Sequence, residues 1–219
     1  MQERLLQWMR ENDRNLPWRG ETDPYKIWVS EIMLQQTRAE AVKPYYARFL
    51  AAFPHVRALA EAPLDAVYKH WEGLGYYSRA RNLHRAAQEI VTKYDGNLPR
   101  TRDALMTLPG IGAYAAGAIA SIAFGERVPA LDGNQARVLS RLYCIDAPLK
   151  SPADLYPLAL SLVPESAPGD YNQALMDLGA LICLPKNPRC EACPLSALCA
   201  AHREGHEREL PRKPPKADK

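Results

Sequence analysis

The sequence lacks the features that mark membrane and secreted proteins. No apolar run approaches the roughly 18 residues that a membrane-spanning helix requires. The charged N-terminal segment has neither the apolar core nor the small-residue cleavage site of a secretory signal. We therefore expect a cytoplasmic protein with no membrane partner, in a reducing compartment where clustered cysteines bind metals more often than they form disulfides.

Strand patterns, internal repeats and the glycine loops of nucleotide-binding proteins are also missing. Helix signals recur instead: Asp23 and Ser151 each precede a proline, and Thr101 can cap the segment that follows it. Apolar residues at three- and four-residue spacing run through Tyr25–Leu34, Leu64–Leu74, Leu83–Tyr94, Ala115–Phe124 and Leu155–Val163. The sequence predicts an all-α protein built from many short helices.

Four of the five cysteines lie in one short segment. They are Cys183, Cys190, Cys193 and Cys199, separated by six, two and five residues. Four thiolates suit a tetrahedral zinc ion, and they equally suit a cubane iron–sulfur cluster in which each iron takes one thiolate. The spacing alone leaves zinc, iron–sulfur and unremarkable thiols open. Cys144 stands apart, and we expect it to be a small buried apolar residue.

Two glycines interrupt an apolar helical region in "LMTLPGIGAYAAGAIASIAFG". Gly110 and Gly112 flank Ile111, where they permit a tight turn and a close approach of the backbone. The free N–H groups at the start of the next helix would then bind an anion. This pattern is typical of a helix-hairpin-helix, which grips a DNA phosphate without reading a base, although a helix–helix turn that needs glycine is the simpler interpretation.

Two carboxylates stand in informative positions. Glu31 lies in a helix between Ile27 and Leu34 on the same face, and burial there would raise its pKa and favour a proton donor, whereas at the edge of the stripe it would be an ordinary exposed glutamate. Asp132 precedes a helical segment, where capping alone explains an Asp or Asn. Brought together, two such carboxylates form the pair used in glycosidic bond cleavage.

Several aromatic, amide and cationic side chains suit nucleic acid. In "GLGYYSRARNLH" two tyrosines at a loop tip precede Arg79 and Arg81, an order that suits stacking on bases and pairing with phosphates. Similar candidates are Trp18 and Arg19, the polar run Gln35-Gln36-Thr37, and Lys186 and Arg189 between the first two cysteines. Packing residues and solvated helix faces explain each of these equally well when taken alone.

The motifs "SEIMLQQT", "GLGYYSRARNLH", "LPGIG" and "LDGN" and the cysteine run occur in that order. Together they resemble the helix-hairpin-helix superfamily of DNA glycosylases, specifically the adenine DNA glycosylase (MutY) branch, from about Leu16 to Cys199. The resemblance implies a two-lobed all-α fold with DNA bound between the lobes. A six-helix barrel would span 17–128, an iron–sulfur domain 1–16 and 129–201, and a linker or tail towards a further domain 202–219.

The resemblance also implies a cofactor and a reaction. The cysteines look like ligands of a [4Fe–4S] cluster with a structural and DNA-positioning role. The substrate would be double-stranded DNA with adenine opposite 8-oxoguanine or guanine. Glu31 resembles the general acid that protonates adenine N7, and Asp132 the carboxylate that stabilises the oxocarbenium-like sugar. Tyr114 would assist in the pocket, and Asn134 would orient the catalytic groups.

On the same basis eight residues would contact DNA. Trp18 and Arg19 would line the adenine pocket, Gln36 and Tyr76 would insert beside 8-oxoguanine, Gly110 and Gly112 would present amides to phosphate, and Lys186 and Arg189 would face the backbone.

Tyr114 also distinguishes between related activities. Relatives similar to endonuclease III carry a lysine there, which forms a Schiff base and cuts the strand, so a tyrosine indicates a monofunctional enzyme. The alternatives are a glycosylase that removes thymine from T·G mismatches, an endonuclease III-like glycosylase/lyase, and a non-enzymatic iron–sulfur DNA-binding protein. A monomer in a prokaryotic cytoplasm, associated with the nucleoid, is the expectation.

Overall fold

A computed structural model describes residues 1–212 and 214–215, and in this part of the chain the secondary structure is entirely helical. The α-helices are α1 Gln2–Glu11, α2 Pro24–Leu34, α3 Ala39–Ala52, α4 Val56–Glu61, α5 Leu64–Trp71, α6 Tyr77–Tyr94, α7 Arg102–Leu105, α8 Ala113–Phe124, α9 Gly133–Leu142, α10 Tyr156–Leu162, α11 Pro168–Leu181 and α12 Ala200–Glu204. Short 3₁₀ turns occupy Pro152–Leu155, Cys190–Ala192 and Ser196–Leu198. The all-α prediction is confirmed. Within the described residues no helix is both long enough and apolar enough to cross a membrane.

The chain divides into two compact units. The barrel unit is Arg14–Glu126, and the cysteine unit combines Met1–Asp13 with the chain from Arg127 onward. At the centre of the barrel unit, α2 packs against α3, α6 and α8. Eight of the eleven residues of α2 are buried, as expected for a helix that is apolar on all sides. Glu31 is therefore placed in the interior of this unit by its helix.

The predicted caps are present at three helix starts. Asp23 accepts a hydrogen bond from the backbone N–H of Tyr25 at 2.9 Å, with Pro24 in the first turn. Thr101 accepts from the N–H of Ala104 at 3.4 Å, and Ser151 forms a capping box with Asp154. These bonds satisfy N–H groups that have no partner within the helix, so the chain enters each helix at a defined residue.

In the cysteine unit, α9 and α11 form the centre of the core. Leu139 on α9 and Leu178 on α11 are fully buried, and Leu5 of α1 completes the same cluster. Asn172 of α11 is buried and ties down the segment before α9, because its amide donates to Val128 O at 2.9 Å and accepts from Ala130 N at 3.1 Å. The backbone that leads into Asp132 is thus held at one carbonyl and at one N–H group.

The chain after Cys199 packs more closely than its composition indicates. Instead of forming a solvated tail at once, it forms α12 and then buries Leu210, which is 2% exposed. The Leu210 carbonyl accepts from Arg141 Nε at 2.9 Å, and Arg212 pairs with Asp146. One apolar side chain and paired charges hold this segment, which is otherwise polar. Up to Arg212 the chain is therefore packed against the cysteine unit, whereas a linker or tail was expected from residue 202.

The hairpin between α7 and α8 requires glycine at one position only. Gly110 has φ +79°, and a Cβ there would lie 2.7 Å from Asn82 Cβ. Gly112 has φ −86°, and a Cβ would meet nothing within 4 Å. The turn therefore requires glycine at position 110, whereas a Cβ at position 112 would point into open space.

We predict that Gly110→Ala destabilises the protein by about 1–3 kcal/mol, because alanine must adopt a left-handed conformation against Asn82. The matched control Gly112→Ala should change the unfolding free energy by less than about 1 kcal/mol. Denaturant unfolding of both variants checks this. Equal losses in the two variants would contradict the role assigned to Gly110.

Candidate functional site

Glu31 and Tyr114 are brought together inside the barrel unit. Glu31 is 5% exposed, and the Tyr114 hydroxyl, from the first turn of α8, donates to Glu31 Oε2 at 3.0 Å. The interpretation of Glu31 as an exposed edge residue is therefore wrong. A buried carboxylate oriented by a phenol is a group positioned for proton transfer rather than for solvation.

In the cysteine unit, Asp132 and Asn134 are also in contact. Asp132 is the N-cap of α9, where one carboxylate oxygen accepts from Gln135 N at 2.7 Å and the other from Asn134 Nδ2 at 2.9 Å. The capping interpretation is confirmed. Capping is compatible with a chemical role, because both oxygens of the carboxylate are held in defined directions. The Asn134 amide therefore holds one oxygen of the carboxylate, and its role in orienting catalytic groups stays a prediction.

Arg137 continues this contact towards the cysteines. It donates to Asn134 Oδ1 at 2.9 Å, to Gly179 O at 2.8 Å and, through Nε, to Cys183 O at 2.8 Å. A chain of hydrogen bonds therefore runs from the Asp132 carboxylate to the backbone of the first clustered cysteine. Sequence reasoning missed Arg137, although its place three residues after Asn134 puts both on the same helix face.

Burial and the polar neighbours of Asp132 shift the pKa of its carboxyl in opposite directions. Burial raises the pKa of its carboxyl, and the hydrogen bonds from Gln135 and Asn134 and the charge of Arg137 lower it, with burial the larger effect. A carboxyl whose pKa is raised in the folded state binds more protons there than in the unfolded chain. Its contribution to stability is full below the unfolded pKa and is lost as the pH rises through the folded pKa.

We predict that Asp132→Asn changes the pH dependence of stability. Asparagine is an equally good N-cap and carries no charge, so the stability of the wild type relative to the variant should fall as the pH rises from about 4 towards neutrality. Denaturant unfolding at a series of pH values measures the difference. A difference that does not vary with pH would contradict the raised pKa of Asp132.

Three of the residues expected to contact DNA line one cavity of the barrel unit. Gln36, Tyr76 and Gly110 all face a space of about 250 Å³. Gln36 and Tyr76 both have left-handed backbones, with φ +55° and +49°, and Tyr76 is 60% exposed. Non-glycine residues rarely adopt this conformation without support from their surroundings. The structure thus places the two candidate inserting side chains on exposed, constrained turns beside the hairpin.

Arg79 provides that support, and the expectation that it pairs with phosphate is wrong. It is 8% exposed, and its guanidinium donates to six oxygens of two segments. They are Ile32 O, Met33 O, Gln35 O and Thr37 Oγ1 at the end of α2, and Leu74 O and Gly75 O before Tyr76, at 2.6–3.2 Å. The planar guanidinium fork satisfies carbonyls that the end of a helix and a turn leave free, which a solvated cation could not do.

We predict that Arg79→Lys lowers the unfolding free energy by about 2–4 kcal/mol, because an ammonium cannot reach carbonyls on both segments and leaves some buried without a donor. Arg81→Gln, an exposed position on the same helix, is the control and should change stability by less than about 0.5 kcal/mol. Thermal and denaturant unfolding provide the comparison. An Arg79→Lys variant as stable as the control would rule out the proposed support.

The remaining candidates for DNA contact differ in exposure. Trp18 is 6% exposed and packs edge-on against Tyr46 with ring centroids 5.5 Å apart, which is a core contact of the barrel unit. Arg19 is half-buried. Lys186 and Arg189 in the cysteine loop are exposed, so both cations are open to an external partner. Their accessibility fits the predicted contact with a phosphate backbone.

The four clustered cysteines line a single cavity of the cysteine unit. All are free thiols. Arg141, 2% exposed, holds this loop: it donates to Cys183 Sγ at 3.3 Å, to Leu184 O at 2.7 Å and to Pro185 O at 2.9 Å. Four sulfur donors facing one space, with a cation beside them, fit a cluster that takes one thiolate per iron.

Cys144 does not behave as expected. It is half-buried rather than buried, and its backbone has φ +48°. Desolvation and the neighbouring Glu204 raise the pKa of its thiol. It lies in the turn after α9, where its N–H donates to Arg141 O at 3.3 Å.

Comparison with known proteins identifies the family. Residues 29–164 match the model of the HhH-GPD superfamily base excision DNA repair proteins. The chain belongs to the HhH-GPD superfamily. Residues 183–199 match the iron–sulfur binding domain of endonuclease III, which confirms the expected [4Fe–4S] cofactor over zinc. The two-lobed helix-hairpin-helix fold is confirmed with it.

Several known proteins are similar to this chain over most of its length. Adenine DNA glycosylase from Homo sapiens is 44% identical over 94% of this chain and 40% of its own length. The adenine DNA glycosylase of Buchnera aphidicola is 43% identical over 90% of this chain and 57% of its own. A thermostable thymine-DNA glycosylase structure is 32% identical, with a TM-score of 0.85 over 93% of this chain and 95% of that one. The chain spans about half the length of the curated relatives it matches.

Proposed function

We propose that this chain removes adenine mispaired with 8-oxoguanine or guanine from double-stranded DNA by hydrolysing the N-glycosidic bond. The observation that carries the proposal is the buried Glu31 carboxylate oriented by the Tyr114 hydroxyl at 3.0 Å. Relatives named adenine DNA glycosylase at 43–44% identity support the choice of base. In a prokaryotic cell the enzyme would act as a monomer in the cytoplasm, at the nucleoid.

Glu31 is the proposed general acid. Adenine must leave the base stack to be reached, at a cost of about a few kcal/mol, and Glu31 then gives its proton to N7 so that the base leaves neutral. The carboxylate that remains can accept a proton from the attacking water. Tyr114 donates to one oxygen of this group, so it fixes the direction in which the other presents the proton.

Asp132 is the proposed stabiliser of the positive charge that develops on the sugar. This role requires the ionised form. The hydrogen bonds from Gln135 and Asn134 favour that form against the effect of burial, and Arg137 keeps the Asn134 amide turned towards the carboxylate. Glu31 and Asp132 have different surroundings: Glu31 lies in a buried helix and accepts from Tyr114, whereas Asp132 caps α9 and accepts from Gln135 and Asn134.

Tyr114 makes the enzyme monofunctional in this proposal. Strand cleavage through a Schiff base needs an amine, and a phenol cannot supply the nitrogen. The product is then an abasic site in an intact strand.

The cysteine unit is proposed to hold the cluster and meet the DNA backbone. Cys183, Cys190, Cys193 and Cys199 would bind the [4Fe–4S] cluster, which supplies a rigid inorganic core rather than a reacting group. Arg141 fixes the start of the loop, and the exposed Lys186 and Arg189 provide the phosphate contacts. In the barrel unit, Gly110 and Gly112 would offer backbone N–H groups to another phosphate.

We predict that Glu31→Gln lowers single-turnover excision of adenine opposite 8-oxoguanine by about 10²–10⁴-fold, because an amide cannot donate the catalytic proton. Binding to the same duplex, measured by anisotropy, should persist. Tyr114→Phe is the control that keeps the ring and removes only the hydrogen bond, so it should lose less activity. Normal turnover by Glu31→Gln would refute the assignment, and unchanged excision by Tyr114→Phe would remove Tyr114 from the site.

The thymine-DNA glycosylase structure favours one second candidate, removal of thymine from T·G mismatches, because its likeness extends over 95% of that chain. A panel of duplexes with A opposite 8-oxoguanine, A opposite G and T opposite G separates the two. Breaks at adenine that appear only after hot alkali support the proposal. Breaks at thymine support the second candidate, and alkali-independent breaks would indicate a lyase.

A further inference from the structure

The segment after Cys199 brings two further metal-binding side chains to the cysteine cavity. His202, on α12, and Glu207, just beyond it, line the same space as the four cysteines. One ligand atom each of Cys190, His202 and Glu207 lies within 4.8 Å of the others. Among the described residues this is the one such group of three, and it includes a single cysteine of the cluster.

The Glu207 carboxylate indicates what the group is suited to bind. Its Oε2 atom is buried and has no hydrogen-bond partner among the described residues. A buried carboxylate oxygen without a donor is costly. An iron atom that lacks its thiolate is a partner that this carboxylate or the imidazole could bind.

Backbone hydrogen bonds order the chain around His202 and Glu207. Arg203 N donates to Cys199 O at 3.1 Å and His206 N donates to Ala201 O at 2.8 Å, so the turn between the two residues is closed by hydrogen bonds. With metal–ligand bonds of about 2.0–2.3 Å, two ligands in tetrahedral coordination lie about 3.3–3.8 Å apart. The ligand atoms of His202 and Glu207 lie within 4.8 Å of the Cys190 sulfur, so a small side-chain movement would bring either of them to the position that the sulfur holds.

We propose that His202 and Glu207 are alternative ligands for the iron bound by Cys190. In the absence of the Cys190 thiolate, a bond from that iron to Glu207 oxygen or His202 nitrogen replaces the iron–Sγ bond. No electron is transferred, so the oxidation state of the cluster is unchanged, and a carboxylate ligand also preserves the charge that the thiolate carried. The proposal rests on the four-cysteine ligand set proposed above and is independent of which base is removed.

The test compares cysteine-to-alanine variants of the full chain, purified without oxygen. Cys190→Ala should retain most of its iron, its sulfide and the visible absorbance of the cluster. Cys193→Ala, the matched control without a His and carboxylate pair beside it, should lose them. Adding His202→Ala and Glu207→Gln to Cys190→Ala should abolish retention. Pulsed EPR with ¹⁵N-histidine decides whether the imidazole is the ligand.

Two outcomes would overturn the proposal: equal loss of iron from Cys190→Ala and Cys193→Ala, or retention in the triple variant equal to that in Cys190→Ala. A second measurement does not depend on a cysteine substitution. A chelator should extract iron about tenfold faster from His202→Ala/Glu207→Gln than from the wild type, and equal rates would also contradict the proposal. Because both readouts are iron content, a failure here is distinguishable from a failure of adenine excision, which is assayed on wild-type protein.

Discussion

Buried guanidinium groups that donate to backbone carbonyls are the interaction on which the functional segments depend. Arg79 holds the end of α2 and the turn at Tyr76, Arg137 holds Asn134, and Arg141 holds the loop of the first cysteine. The end of α2, the turn at Tyr76 and the cysteine loop leave carbonyls that no helix or sheet satisfies. A planar fork of five donors can serve several of them at once, which neither a lysine nor a neutral side chain can do.

This arrangement explains why exposed residues can be rigidly placed. Gln36 and Tyr76 have strained left-handed backbones and extend towards solvent, yet the carbonyls next to them are fixed from within by one buried side chain. The insertion into a duplex that is proposed for both side chains would require them to remain positioned without help from packing of their own. The strain is therefore supported from the core, at some cost in stability that the hydrogen bonds of Arg79 offset.

In the cysteine unit, buried arginines likewise hold the loop that carries the cluster ligands. Its loop is short in regular structure, with 3₁₀ turns between the cysteines, and it is held by Arg141, by Arg137 and by the segment that returns after Cys199. That returning segment makes the site larger than the four-cysteine motif. It brings His202 and Glu207, from outside the motif, into the cavity that the thiols line. The cavity is thus lined both by a recognisable motif and by a region whose composition resembles a linker.

The sequence alone determined the helical fold, the helix starts at Asp23, Thr101 and Asp132, the family and its iron–sulfur segment. These depend on local spacing and capping, which contacts between neighbouring residues fix. The carboxylates were also recognisable, because their motifs occur in a distinctive order.

Only the tertiary structure decided which polar residues are buried. Arg79 and Arg81 look alike in sequence, yet one lies inside the barrel unit and the other on its surface. Glu31 could equally have been exposed, and Glu207 was indistinguishable from its charged neighbours. The burial of a charged group depends on whether distant segments supply its hydrogen bonds, as Ile32 and Leu74 do for Arg79, and no local pattern records that.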